Sequence, residues 1–267
     1  MKLKLCDAKS LDIEKTFECG QCFRWNRNDK GVYTGVVGKY LAEVEALDGI
    51  VYITSDAPAE MWSDYFDLAT DYAAVSADFT GEYLHACVDY GMGIRILRQD
   101  SWEALCSFII SQCNNITRIK GIVERLCELF GDKCKANGVS FYTFPTAERL
   151  AALEPSDLAG IRSGYRAEYI IAAARAVTNG DLNLDALKTC DYREAIKALR
   201  QIRGVGEKVA NCVVLFGLYH MEAFPIDVWM KRALKEHFPA DFDPTSLGAY
   251  AGLAQQYIFY YARSGGK

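Results

Sequence analysis

The rhythm of hydrophobic and polar positions changes near residue 60. Before that point the apolar residues come in short runs that are β-branched or aromatic and partly alternating. These runs are Phe23-Arg-Trp25, Val32-Tyr-Thr-Gly-Val-Val37, Tyr40-Leu-Ala-Glu-Val44 and Ile50-Val-Tyr-Ile-Thr54. Such runs predict strands with one buried face. Asn28-Asp-Lys-Gly31 and Leu47-Asp-Gly49 read as turns between them. Links this short join antiparallel neighbours, because a parallel pair needs a long crossover.

Beyond residue 60 the period becomes helical. Met61 to Leu68 and Tyr72 to Val88 predict helices, the second with a break at Gly81. Trp102 to Cys113 is apolar on most sides and predicts a buried helix. Ile119, Val123, Leu126 and Phe130 form one stripe of a helix over Ile116 to Phe130. Gly131 to Gly138 reads as a polar connector, and Pro145 to Glu148 and Glu154-Pro155 as short helix starts. Five more helices are predicted: Tyr165 to Val177, Asp191 to Ile202, Glu207 to Leu218, Asp227 to His237 and Ser246 to Ala262. The fold class is α+β. An N-terminal antiparallel β-sheet domain with trailing helices spans residues 1–100, and a mostly α-helical region spans 101–267.

Composition narrows the class without naming an activity. The 267 residues are 51% hydrophobic and 24% charged, an ordinary globular balance. No apolar run is long enough to span a membrane, and the N-terminus lacks the pattern of a signal peptide. Ten cysteines without secretory features predict reduced thiols in an intracellular protein. Cys19-Gly-Gln-Cys22 reads as two unrelated thiols, because no second pair or nearby histidine completes a zinc site. A net charge of −5 argues against a general polyanion binder, so any nucleic-acid surface must be local.

Candidate chemistry sits in Leu199-Arg-Gln-Ile-Arg-Gly-Val-Gly-Glu-Lys-Val-Ala-Asn-Cys212 and in Ala223-Phe-Pro-Ile-Asp-Val-Trp229. Here a helix runs into a Gly204-Val205-Gly206 hairpin, and a second helix starts near Glu207. Glycines allow a sharp turn and close approach of a ligand, and free amides at the new helix can bind an anion such as a backbone phosphate. Lys208 lies in the first turn, where the helix dipole disfavours a cation and so favours a neutral, nucleophilic amine. A surface lysine on an amphipathic helix is the bland alternative. Asp227 follows nineteen residues later at an apparent helix start. It can cap that helix and still stabilise a developing positive charge.

The two runs resemble the helix-hairpin-helix (HhH-GPD) DNA glycosylases, and most closely the eukaryotic-type 8-oxoguanine DNA glycosylases. Gly20-Gln-Cys-Phe-Arg-Trp25, Gly93 to Asp100, Ser107 to Ser111, Asn114-Asn-Ile116, Gly164-Tyr-Arg-Ala167 and Gln255 to Phe259 continue the match in order along most of the chain. The resemblance implies a bifunctional DNA N-glycosylase/AP lyase of base-excision repair. Lys208 would attack C1′ of a flipped nucleotide through a Schiff base, with Asp227 as the catalytic carboxylate. Gly20 would accept the N7 hydrogen that 8-oxoguanine has and guanine lacks. Gln255 would read the Watson–Crick edge, and Phe259 and Cys212 would flank the ring. Asn114, Arg118, Tyr165 and Arg166 would fill the vacated stack and hold the opposite cytosine, while Gly204, Val205 and Gly206 grip the backbone.

The sequence departs from the family at two positions. Cys113 stands where asparagine is common, and Trp229 where a phosphate-contacting histidine is usual. No metal or organic cofactor is implied. The expected partner is double-stranded DNA containing 8-oxoguanine, with no membrane, and the protein is expected to act as a monomer. It would lie in the cytoplasm/nucleoid of a bacterium or the nucleus of a eukaryote. Rival readings remain a glycosylase for another damaged base and a non-catalytic hairpin module. No cysteine follows Cys212, so the iron–sulfur motif of endonuclease III-like relatives is absent. An alkyl-base enzyme would lack Lys208, and a mere binding module would leave Lys208, Asp227, Gln255 and Phe259 without a task.

Overall fold

The N-terminal strands form one antiparallel sheet of order β1-β5-β4-β3-β2. The computed structural model describes residues 1–265. Its sheet comprises β1 (Lys2–Asp7), β2 (Trp25–Arg27), β3 (Tyr33–Val37), β4 (Tyr40–Leu47) and β5 (Ile50–Ser55), with helix α1 (Ile13–Glu18) between the first two strands. The pattern along β5 alternates intermediate and buried positions, as expected of a sheet with one covered face.

Two elements here were not predicted. β1 is a charged edge strand that gains its order from β5, with Leu3 opposite Ile53, and Lys2 pairs across the sheet with Glu45 at 2.8 Å. α1 begins at Asp12, whose carboxylate accepts from the Lys15 amide at 3.0 Å. The strand expected at Phe23 starts instead at Trp25, because Phe23 turns away to pack on Phe108 in the helical region.

The helices follow as α2 (Ala59–Tyr65), α3 (Tyr72–Ala77), α4 (Glu82–Gly91), α5 (Ser101–Ser111) and α6 (Ile116–Phe130). The predicted break falls at Gly81, which caps α4 with φ +103°. The stretch read as a polar connector is instead the first strand and turn of a hairpin, β6 (Lys133–Ala136) and β7 (Val139–Tyr142), closed by Asn137 and Gly138 at positive φ. After it come α7 (Ala147–Ala151), a 3₁₀ turn at Pro155–Ile161, α8 (Arg166–Thr178), α9 (Leu184–Leu187), α10 (Tyr192–Leu199), α11 (Glu207–Phe216) and α12 (Val228–His237). The short α9 was not predicted, and the helix expected from Ser246 is divided into a 3₁₀ turn, Pro244–Tyr250, and α13 (Ala251–Ser264). No described helix is long and apolar enough to cross a membrane.

Two buried clusters result. The first lies under the sheet and holds Phe17, Trp25, Tyr33, Trp62 and Phe66, with the Phe17 and Trp25 rings stacked at 4.3 Å. The second fills the helical region and also takes Tyr72, Leu84, Cys87 and Ile94 from the segment after the sheet. The segment trailing the sheet therefore serves both clusters.

A buried polar latch joins them. Asp67 is 2% exposed and sits between the two. Its carboxylate accepts from the Tyr72 hydroxyl at 2.9 Å, from the Tyr219 hydroxyl, and from Arg98 at 3.0 Å. Burial, with the Asp67 charge adding to it, pushes the Tyr219 hydroxyl up to about 12, so it stays a donor at neutral pH. Arg95 runs alongside, donating to the Phe66 carbonyl at 2.7 Å and the Thr70 carbonyl at 2.8 Å. Asp67→Ala should leave the two hydroxyls and Arg98 without their acceptor and cost about 2–4 kcal/mol. Urea unfolding monitored by tryptophan fluorescence would measure this as a lowered midpoint.

Candidate active site

The hairpin between α10 and α11 owes its shape to one glycine. Gly204 has φ +86°, and a Cβ there would lie 2.1 Å from the Tyr169 ring. Its carbonyl accepts from the Gln112 side chain at 3.0 Å, which ties the turn to the end of α5. Gly206 is different. It caps α11 in an extended conformation and faces open space, so its bareness leaves room rather than permitting a turn. Val205 is buried and anchors the turn from within. Arg200 pairs with Glu207 at 2.7 Å and Arg203 with Glu168 at 2.8 Å. Tyr165, Tyr169, Gln112 and the Gly204–Gly206 backbone line one open groove of about 670 Å³.

α11 then carries Lys208 inward. Its ammonium lies 5.6 Å from the Phe108 ring centroid. Asp227 caps α12, its carboxylate accepting from the Trp229 and Met230 amides at 3.0 and 2.9 Å. Those two bonds fix the carboxylate, as the sequence predicts for a capping aspartate. Lys208 and Asp227 line the same small cavity, of about 60 Å³, with room for a few water molecules.

Phe108, Phe216 and Pro225 add apolar wall, and further walls come from the two ends of the chain. Cys19 and Gly20 follow α1, and Gln255, Gln256 and Phe259 lie on α13. Cys212 is one helical turn beyond Lys208, and burial pushes its thiol up while the nearby Lys208 charge pulls it partly back. It remains a neutral, polarizable wall at pH 7. Gln255 is 4% exposed, and among the described residues none donates to its side-chain carbonyl oxygen. A buried acceptor in that condition costs free energy unless a ligand supplies the donor. Gly20 has φ +84°, and an ideal Cβ there would fall 3.7 Å from the Phe259 ring, an ordinary contact distance. No described residue donates to the Gly20 carbonyl.

Four further expected residues lie outside this cavity. Arg118 and Tyr165 are exposed, Tyr165 at 51%. The Asn114 amide donates to the Ile110 carbonyl at 2.7 Å. Arg166 is buried, donates to the Gln112 and Ser163 carbonyls, and lies 4.4 Å from the Tyr165 ring. It braces the tyrosine and the Gln112 loop from behind. Cys113 is exposed with φ +51°, a left-handed conformation that asparagine adopts more readily than cysteine. Trp229 is half-buried beside Arg232, 5.6 Å from its ring. Cys19 and Cys22 are separate buried thiols.

Sequence reasoning missed three glutamines. Gln112 holds the hairpin, as above. Gln21 is fully buried, donates to the Thr16 and Arg95 carbonyls at 3.0 and 2.8 Å, and accepts from the Leu97 amide at 2.9 Å. Gln256 donates to the Cys19 carbonyl at 2.8 Å. The available signal was their position in otherwise apolar surroundings, which for Gln256 means a helix buried on most sides.

Comparison with known proteins bears on this arrangement. Residues 4–105 match the family model of the 8-oxoguanine DNA glycosylase N-terminal domain, and residues 106–252 match that of the HhH-GPD superfamily base excision DNA repair proteins. The chain is 29% identical to the N-glycosylase/DNA lyase OGG1 of Arabidopsis thaliana, over 96% of this chain and 78% of the relative. It is similar to a Clostridium acetobutylicum 8-oxoguanine glycosylase/lyase solved with double-stranded DNA containing cytosine opposite 8-oxoguanine. That likeness has 35% identity and a TM-score of 0.90, covering 100% of this chain and 99% of the other. A structure of MBOgg1 with a low-affinity DNA ligand matches with 37% identity and a TM-score of 0.92, covering 100% and 96%.

The two hairpin glycines should behave differently on substitution. Gly204→Ala forces the Tyr169 ring to move and places alanine at positive φ, at a cost of about 2 kcal/mol or more. Gly206→Ala should change stability by less than about 1 kcal/mol. Parallel denaturant titrations of the two variants check the contrast.

Proposed function

Because the chain belongs to the HhH-GPD superfamily of base excision DNA repair proteins, with the N-terminal domain of 8-oxoguanine DNA glycosylases ahead of it, we propose that it excises 8-oxoguanine from duplex DNA, opposite cytosine, and cleaves the resulting abasic site. One observation carries this reading. A fixed carboxylate, an amine and an unpaired amide oxygen surround one small cavity at the start of α11 and α12.

The chemistry follows from those groups. A nucleotide inside the duplex stack hides C1′, so it must be flipped into the cavity. The Lys208 ammonium first gives up a proton to solvent; the amine then attacks C1′ as the bond to the base nitrogen breaks, and the base leaves with that electron pair and takes up a proton. Asp227 stabilises the positive charge that develops on the sugar. Opening of the sugar ring gives a protonated Schiff base at Lys208. That group acidifies the C2′ proton, whose loss expels the 3′ phosphate by β-elimination. Hydrolysis then frees the lysine.

Recognition is divided among the walls. The Gly20 carbonyl accepts the N7 hydrogen of 8-oxoguanine, and the same carbonyl repels the lone pair of guanine at that position. Gln255 offers its free oxygen to the Watson–Crick edge, and Phe259 and Cys212 sandwich the ring. Arg118 and Asn114 face the opposite strand, where a guanidinium can donate two bonds to cytosine, and Tyr165 wedges into the vacated stack. Arg166 reaches the cytosine only by releasing Gln112. The Gly204-Val205-Gly206 backbone and the α11 amides hold phosphates. The enzyme acts as a monomer, in the cytoplasm/nucleoid if bacterial and the nucleus if eukaryotic. We retain residues 1–100 and 101–267 as its two domains.

The decisive experiment traps the Schiff base with borohydride on a duplex containing 8-oxoguanine opposite cytosine. Wild type should form a covalent protein–DNA adduct and Lys208→Gln none, with excision reduced about 1,000-fold or more. An undiminished adduct in Lys208→Gln would refute the assignment. Asp227→Asn should slow base release about 100-fold or more while binding of the damaged duplex changes little.

A further inference from the structure

Gly20 poses a problem for the reading just given. Glycine is the least restrained residue, yet its carbonyl is asked to detect a single hydrogen. A reader that can swing does not discriminate, because guanine would be met by a rotated carbonyl at little cost. Something outside Gly20 must hold it.

Two side chains of α13 donate hydrogen bonds to the loop. Gln256 is 2% exposed, and its side-chain amide donates to the Cys19 carbonyl at 2.8 Å. Arg263 donates to the Glu18 carbonyl at 2.7 Å. The Cys19 carbonyl and the Gly20 nitrogen belong to one peptide plane, so the Gln256 bond fixes the plane on which Gly20 pivots. Gln21 holds the other side of the loop from within. Gln256 also follows Gln255 directly on α13. One hydrogen bond thus links the backbone that meets one edge of the base to the helix whose side chain meets another.

We propose that Gln256 is a positioning residue for substrate choice: through the Cys19 carbonyl it sets the orientation of the Gly20 carbonyl and its separation from Gln255, and so supports the preference for 8-oxoguanine. This rests on the assignment of Gly20 and Gln255 as readers of the base. Lys208 is held by a different helix, α11, and its reaction with a preformed abasic site needs no base reading. The two activities should therefore part company in a Gln256 variant.

The test compares Gln256→Ala with Gln256→Met, which keeps the length and volume of the side chain but has no donor. Single-turnover excision of 8-oxoguanine opposite cytosine and β-elimination at a preformed abasic site are measured on both, beside thermal unfolding. We expect both variants to lose about tenfold in excision, as for one buried hydrogen bond. Abasic-site cleavage should stay within about twofold of wild type, and the ratio of affinities for 8-oxoguanine and guanine duplexes should fall. Recovery of excision in Gln256→Met would mean that packing alone matters and would overturn the proposal. So would equal loss of both activities, or no loss of excision in either variant. Wild type that cleaves abasic sites but does not excise 8-oxoguanine would instead refute the underlying reading.

Discussion

A buried acceptor without a donor is the constraint on which this structure turns. Among the described residues none donates to the buried side-chain oxygen of Gln255, and a buried acceptor left without a donor costs about 1–3 kcal/mol. Such a group persists only where the surroundings leave it no cheaper arrangement. Here the surroundings are the largest apolar cluster of the molecule, which holds α13 from Ala251 to Ile258 along one buried stretch. The helix cannot turn to wet the amide without exposing Leu253, Ala254, Tyr257 and Ile258. The core therefore holds that acceptor at the wall of the cavity, where a ligand entering it can supply the donor.

The same logic extends to how the two ends of the chain meet. The loop after α1 and the C-terminal helix are far apart in sequence but share walls of one cavity. Their meeting depends on the sheet and the helical region keeping a fixed relation. Asp67 supplies one fastening, with partners from the segment after the sheet and from the loop after α11. Gln21 supplies another by binding the backbone at Thr16, Arg95 and Leu97. Both fastenings are buried polar groups with several partners each, and such groups specify an arrangement more strictly than apolar packing does.

Legibility in the sequence followed the range of the interactions involved. β3, β4, β5 and α6 could be read because alternation and a helical stripe are local consequences of one buried face. β1 could not, because two leucines between lysines form a strand only once β5 lies beside them. The β6–β7 hairpin was masked by its polar first strand, although Asn137-Gly138 was a local signal for it. At the site, the glycine hairpin, Lys208 and a capping Asp227 were readable from spacing, and resemblance pointed to Gly20, Cys212, Gln255 and Phe259, all of which line the cavity. The burial of Arg166 was not legible, because an arginine beside an exposed tyrosine gives no hint of carbonyls waiting beneath it. Asp67 and Gln256 were invisible for a related reason. A polar residue is judged solvated until its distant partner is known, and the partner of Asp67 at Tyr219 lies 152 residues away.

The main-chain nature of the Gly20 group has an evolutionary consequence. A side-chain contact can be exchanged by changing one codon, and lineages explore new ligands in that way. A carbonyl of the backbone has no such alleles. At φ +84° any side chain at position 20 would strain the loop. Under the proposed assignment, variation in base preference accumulates at positions that touch the loop from elsewhere, which makes the neighbours of the reader, rather than the reader, the place where related enzymes can diverge.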